Sequence, residues 1–168
     1  MSRLVAPLAA LLALAGSAAL AQTSALKGHN TNAPVDISAD RIEVQDRADR
    51  AIFSGSVVAK QAEMTLAAPR ITVAYANAGG VKIKRIDATG GVTVNSPGER
   101  ASGQVGIYDL DRRLITLVGG VSLIRGDSHV NGGRLVIDLK SGRAVVDGGG
   151  SGSGGRVTGR FTVPQQGG

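Results

Sequence analysis

The chain contains no cysteine and no tryptophan, and its aromatic side chains amount to two tyrosines and two phenylalanines. Without cysteine no disulfide can staple the fold, so apolar burial and backbone ladders must hold it. The shortage of aromatics removes the stacking platforms on which readers of single-stranded nucleic acid and of carbohydrate depend, and it makes any interior aliphatic. Histidine is as scarce, with only His29 and His129. Ser128 stands beside His129, but strand neighbours point to opposite faces and make a poor nucleophile–base pair. Asp109 and Asp111 lack the further spaced oxygen ligands of a calcium loop and read as a hairpin turn. No Cys or His cluster suggests a transition-metal site. Gly90–Gly91 and Gly119–Gly120 precede no helix whose N-terminus could hold a phosphate. The residues imply neither an enzyme nor a cofactor.

The one long apolar run lies at the start. Arg3 is followed by a Leu- and Ala-rich stretch from Leu4 to Leu14, interrupted by Pro7, and Ala19 and Ala21 flank Leu20 in a small-x-small cleavage pattern. This reads as a cleaved signal peptide over residues 1–21. A retained anchor is the alternative, although the run is short for a membrane span. Residues 22–34 are small and polar and read as a flexible leader; 35–163 form one domain, with a flexible Gly/Ser loop at 148–155, and 164–168 form a disordered tail. The formal charge is +6 and the isoelectric point near 10.3. That balance suits an anionic lipid, an acidic glycan or nucleic acid, or simply a solvated basic surface.

What the sequence does have is repetition. A strand pattern of a small residue, any residue, Arg or Gln, and then two apolar residues one apart occurs four times, at Arg41, Arg70, Gln104 and Arg134. Each copy is followed by an apolar run ending in glycine, at Gly55, Gly90, Gly119 and Gly148. A period near 30 residues marks stacked units that cannot bury their apolar faces alone. β-branched residues fill the apolar positions, and polar turns at 45–50, 76–80, 95–99, 109–113, 126–127 and 140–142 separate them. The predicted fold is all-β: an elongated, slightly twisted β-jelly roll of stacked antiparallel hairpins. Glycine at the end of each second strand supplies the corner between sheets.

Alternation assigns an inward stripe. It takes Ile42 and Val44 from the first repeat, then Phe53 and Val57, Met64 and Leu66, and Ile71 and Val73. It continues with Val92 and Val94, Val105 and Ile107, Val121 and Leu123, and Leu135 and Ile137. This stripe is either an ordinary dry core or a groove between two sheets that accepts an acyl chain, for which aliphatic walls are suited. A roll that does not close leaves edge strands at both ends, near Ile37 and near Val157 and Phe161. Another copy or a like-folded partner could add a strand there, unless Pro34, Pro164 and the glycine tract blunt these edges.

Four segments together resemble a known family: residues 34–44 (PVDISADRIEV), 51–60 (AIFSGSVVAK), 86–94 (IDATGGVTV) and 159–161 (GRF). They are similar to the OstA/LptA periplasmic lipopolysaccharide transport proteins, over about residues 35–163. The resemblance implies an OstA-like jelly roll in the periplasm, acting as a non-enzymatic carrier or bridge for lipopolysaccharide between inner and outer membranes. It implies that lipid A acyl chains travel along the apolar interior. The implied partners are inner- and outer-membrane transport components of like fold and further copies in a head-to-tail homo-oligomer, with no nucleic acid. By parity the inward positions become lipid-facing, and Lys60, Lys82, Lys84 and Arg85 stand near phosphates or sugars. The rivals are a structural β-solenoid with a dry core and no lipid, and a carbohydrate-active enzyme on a β-roll. The latter lacks a carboxylate pair and an aromatic platform.

Overall fold

The computed structural model describes residues 26–148 and 155–163. The expected signal peptide, the start of the leader, residues 149–154 of the Gly/Ser loop and the tail at 164–168 lie outside the described residues. Ten strands run in order: β1 (Val35–Ser38), β2 (Arg41–Gln45), β3 (Arg50–Gln61), β4 (Met64–Asn77), β5 (Val81–Ser96), β6 (Glu99–Asp109), β7 (Leu114–Arg125), β8 (Ser128–Asp138), β9 (Arg143–Asp147) and β10 (Thr158–Arg160). A single 3₁₀ turn, Asp46–Ala48, links β2 to β3. All pairings are antiparallel, in the order β1-β3-β4-β5-β6-β7-β8-β10, with β2 also on β3 and β9 also on β8. The fold is all-β and unclosed, as the alternation and turn spacing predict.

The long strands bend midway, which makes two layers out of one ladder. The glycines sit at this bend, inside the strands rather than at their ends. The β3–β4 register shifts between Ser54 and Val57, β4–β5 between Ala67 and Arg70, and β5–β6 between Thr89 and Val92. The β6–β7 and β7–β8 registers shift at the matching points. In β3, β5 and β7 each bulge holds two successive residues at positive φ: Gly55–Ser56 (83°, 46°), Gly90–Gly91 (90°, 97°) and Gly119–Gly120 (84°, 55°). A side chain there meets steric strain, so glycine repeats where the corner repeats. Beyond each corner the strand enters the second layer. Layer one contains β2, the first halves of β3, β5 and β7, the second halves of β4, β6 and β8, and β9. Layer two contains β1, the complementary halves and β10.

The core lies between the layers. Ile71, Ile115, Leu117, Leu135 and Ile137 are wholly removed from solvent, and each fully buried side chain of this size contributes about 1.5–3 kcal/mol of hydrophobic stabilisation. Residues 26–34, expected as a flexible leader, are instead folded onto the roll. Leu26 is 3% exposed and belongs to the core cluster, and the carbonyls of Thr31 and Ala33 are tied to Gln61. An apolar side chain with a place in the core gives the segment a reason to stay.

Candidate functional site

Two interior rows run the length of layer one. One passes from Ile42 through Phe53, Ile71, Ala88, Gly106, Leu117 and Leu135 to Val146. The other passes from Val44 through Ala51, Val73, Ile86, Tyr108, Ile115 and Ile137 to Ala144. Layer two answers with Ile37, Ala59, Leu66, Val94, Ala101, Leu123 and Val130. Most of the sequence-derived stripe is therefore brought together. Val57, Met64, Leu66, Ile71, Val73, Val92, Val94, Val121, Leu123, Leu135 and Ile137 are all buried, and Phe53 is partly buried against them.

Four positions differ. Val105 and Ile107 are paired with Thr89 and Asp87 and stand on the outer face, only half-buried. The inward residues of β6 are Gly106 and Tyr108. The third repeat is displaced by one residue: the ladder places Gly106, not Val105, in line with Ile71 and Leu135. A one-residue slip exchanges faces, and here the outward residues are the more apolar-looking ones. Gly106 has no space for a side chain, since a Cβ would lead into Leu117 Cδ2 and Val92 Cγ1, both 2.9 Å away. Ile42 and Val44 have inward parity but are 55% and 60% exposed, because β2 ends layer one and no strand covers it.

The interior is tight in the middle and open at the ends. Beside Gln61, between Ala59 and Leu66 on one layer and Ile86 and Tyr108 on the other, the void measures about 10 Å³, room for one water at most. At the β1–β2 end a cavity of about 450 Å³ is lined by Val35, Ile37, Val44, Phe53, Val73, Tyr75 and Ile83, with Asp46 and Asn77 at the rim. At the opposite end a cavity of about 330 Å³ is lined by Leu123, Val130, Ala144, Val146, Val157 and Phe161, with Arg125 and Ser128. Each end carries two edge strands, one per layer: β1 and β2 at one, β9 and β10 at the other. The expected edge residues Ile37, Val157 and Phe161 thus line the two mouths. β9 is an edge that the sequence pattern did not single out.

Two buried polar groups punctuate the interior. Gln61 is 2% exposed. Its Oε1 accepts from Tyr108 Oη at 2.7 Å and from His29 Nε2 at 3.0 Å, and its Nε2 donates to the carbonyls of Thr31 and Ala33, both at 3.0 Å. Both lone pairs and both hydrogens of the amide are therefore used. Burial pushes the Tyr108 phenol up to about 12, against an opposing pull from Arg113. Glu99 is buried where layer two ends, and Arg125 Nε and Nη2 donate to its Oε2 at 3.0 and 2.9 Å. The basic residues linked by resemblance to phosphates or sugars are partly engaged: Lys84 and Lys82 reach Asp111 at 3.0 and 3.8 Å, and Arg85 pairs with Asp87 at 2.7 Å. Lys60 is exposed on β3.

Sequence reasoning missed Leu26, Ile86, Ala88, Ala101, Tyr108, Ile115, Leu117 and Leu139, all of which are buried. For Ile115 and Leu117 the signal was present but ambiguous, because the run from Leu114 to Val118 is apolar on both faces. For Leu26 there was no periodic signal at all.

With this geometry in view, the comparisons are informative. An uncharacterized protein of Rhizobium meliloti (strain 1021) is 34% identical over 145 residues, covering 80% of this chain and 78% of that one. The crystal structure of LptH from Pseudomonas aeruginosa, the LptA-homologous periplasmic component of a conserved lipopolysaccharide transport device, shares this fold. The TM-score is 0.71 at 17% identity, covering 80% of this chain and 99% of that chain. The family model for the LptA/LptD N-terminal domain lipopolysaccharide transport proteins matches residues 36–143. That span contains the inward rows as far as Leu135 and Ile137, the corners and the buried Gln61–Tyr108 pair, and the chain belongs to this family of lipopolysaccharide transport proteins.

Proposed function

We propose that this protein is a non-enzymatic periplasmic carrier that holds lipopolysaccharide by its acyl chains and passes it, roll to roll, from inner-membrane to outer-membrane components. The observation that carries this reading is the pair of apolar mouths at opposite ends of one aliphatic interior, each flanked by unpaired edge strands. An acyl chain gains about 0.8 kcal/mol for each CH₂ buried, so a mouth lined by Phe53, Val44 and Ile37 is an energetically sufficient seat. Stacking by edge strands would align the mouth of one roll with that of the next. The partners are like-folded transport components and further copies of this chain.

A photo-reactive residue at Phe53, in the full exported chain, is expected to capture lipopolysaccharide. Val57 and Val121 are sealed beside the corners, so labels there would report on packing instead. Absence of any lipid adduct at Phe53 would leave the second reading, a scaffold with a dry core. That reading draws on the filled centre of the roll.

A further inference from the structure

The two layers are joined by continuous strands along the corner side. Along the other side run two rows of turns. Layer one ends in turns at 78–80, 110–113 and 139–142, and layer two in turns at 62–63, 97–98 and 126–127. These rows form two lips, and residues 26–34 lie between them. Leu26 sits with Met64, Ser96 and Pro97 of the second lip. Lys27 lies against Gly142 of the first, with Lys27 Cβ 2.6 Å from where a Gly142 side chain would begin. Further along, Thr31, Asn32 and Ala33 border a cavity of about 540 Å³ whose far wall is Lys82, Leu110 and Arg113 of the first lip. The segment is held by its buried leucine and by Gln61. The Gln61 Nε2 donates to the strap's two carbonyls, and its Oε1 accepts from His29 of the strap and from Tyr108 of the opposite layer.

The geometry points to a lateral loading port: the seam between the lips is a binding slot for an acyl chain, and residues 26–34 are an intramolecular occupant that the lipid displaces. This rests on the carrier reading above. The slot has the chemistry of an amphiphile. Its floor is aliphatic where Leu26 sits, and its rim beside the strap carries Lys82 and Arg113, with Asp111 between them 3.8 Å from Lys82 Nζ; an anionic sugar-phosphate headgroup would lie against the two cations. It also answers a physical difficulty. Ile71, Ile115, Leu117, Leu135 and Ile137 are wholly buried between the layers and leave a chain no open path along the interior, whereas lifting the strap breaks its contacts to Gln61 and frees one leucine seat without undoing any ladder between β3 and β8. Gln61 holds both the strap and Tyr108, so lifting the strap leaves Tyr108 as the remaining partner of the Gln61 amide.

Hydrogen exchange of the full chain, with and without lipid A, tests this directly. The amides of His29 and Ala33 donate to the carbonyls of Leu26 and Asn30 within the strap, and they are expected to lose protection at least tenfold as lipid A saturates the protein. Leu26→Ala is expected to raise the initial loading rate of fluorescent lipid A several-fold. Lipid A that binds while the strap stays as protected as before, with a loading rate unchanged by Leu26→Ala, overturns the port and leaves the carrier intact. No binding of lipid A to the wild-type protein overturns the carrier reading and the port with it.

Discussion

Tyr108 shows how much one residue can report about the interior. Its hydroxyl crosses from layer one to Gln61 Oε1, to which it donates at 2.7 Å. Burial raises its pKa from 10.0 to about 12, which has a definite consequence for stability. Above pH 10 the unfolded phenol releases a proton that the folded one keeps, so the unfolded state is stabilised relative to the folded state. Stability is full below pH 10 and falls as the pH rises from 10 toward 12. Tyr108→Phe is expected to flatten most of that slope, to which the Tyr75 phenol, also raised, adds the remainder, while costing about 1 kcal/mol at neutral pH through the lost hydrogen bond to Gln61. Urea denaturation on either side of pH 10 measures both. A slope that persists undiminished in the variant would assign the alkaline loss to other groups. Gly106, two residues away, is the complement: the interior there is filled by Leu117 and Val92, so the apolar content of the row comes from neighbours rather than from the strand itself.

At the scale of an element, the corner is the device on which the roll depends. Gly119 has φ of 84°, and a Cβ would stand 2.8 Å from Gln104 Cβ on the neighbouring strand. Gly119→Ala therefore combines a disfavoured backbone conformation with a steric contact, and is expected to cost about 1–3 kcal/mol. Thermal denaturation reads the loss. Gly120, at φ of 55° with nothing near its Cβ, carries the conformational penalty alone, so the same replacement there is expected to cost about 1 kcal/mol. Equal costs at the two positions would remove the contact with Gln104 from the account. The corners also explain the bookkeeping of faces. Interior positions jump by four residues across the bulged strands, as from Phe53 to Val57, Ala88 to Val92 and Leu117 to Val121, and by three across the intervening ones, as from Ala68 to Ile71 and Gly132 to Leu135. A jump of three reverses parity, and β6 is where that reversal hides the inward face behind Val105 and Ile107.

The whole molecule is an unclosed stack with different ends. One end presents Ile42 and Val44, and the other presents Val157 and Phe161, all exposed apolar residues beside unpaired strands, which ordinary folds cover or blunt. Under the proposed head-to-tail association, Val44→Asp at one end and Phe161→Asp at the other should each abolish self-association without lowering thermal stability, because neither residue is in the core. Mixing the two variants should restore pairs and nothing longer, since only one competent end remains on each. Sedimentation velocity distinguishes these states. Long assemblies in either single variant would refute a contact made through these ends.

The sequence by itself determined the all-β class, the repeat, the glycine corners and most of the inward stripe. These are properties of neighbouring residues: side chains alternate along a strand, and glycine alone tolerates the corner without strain. The tertiary structure decided the parity of β6, the exposure of Ile42 and Val44, and the roles of Leu26 and Gln61. Parity beyond a corner depends on how many residues the bulge absorbs, which neighbouring ladders impose. Gln61 becomes a latch only because Tyr108, 47 residues later, faces it. Leu26 becomes part of the core only because two rows of turns leave a seam of its size. Contacts of that range are settled by how the layers meet, and no local pattern in the chain encodes them.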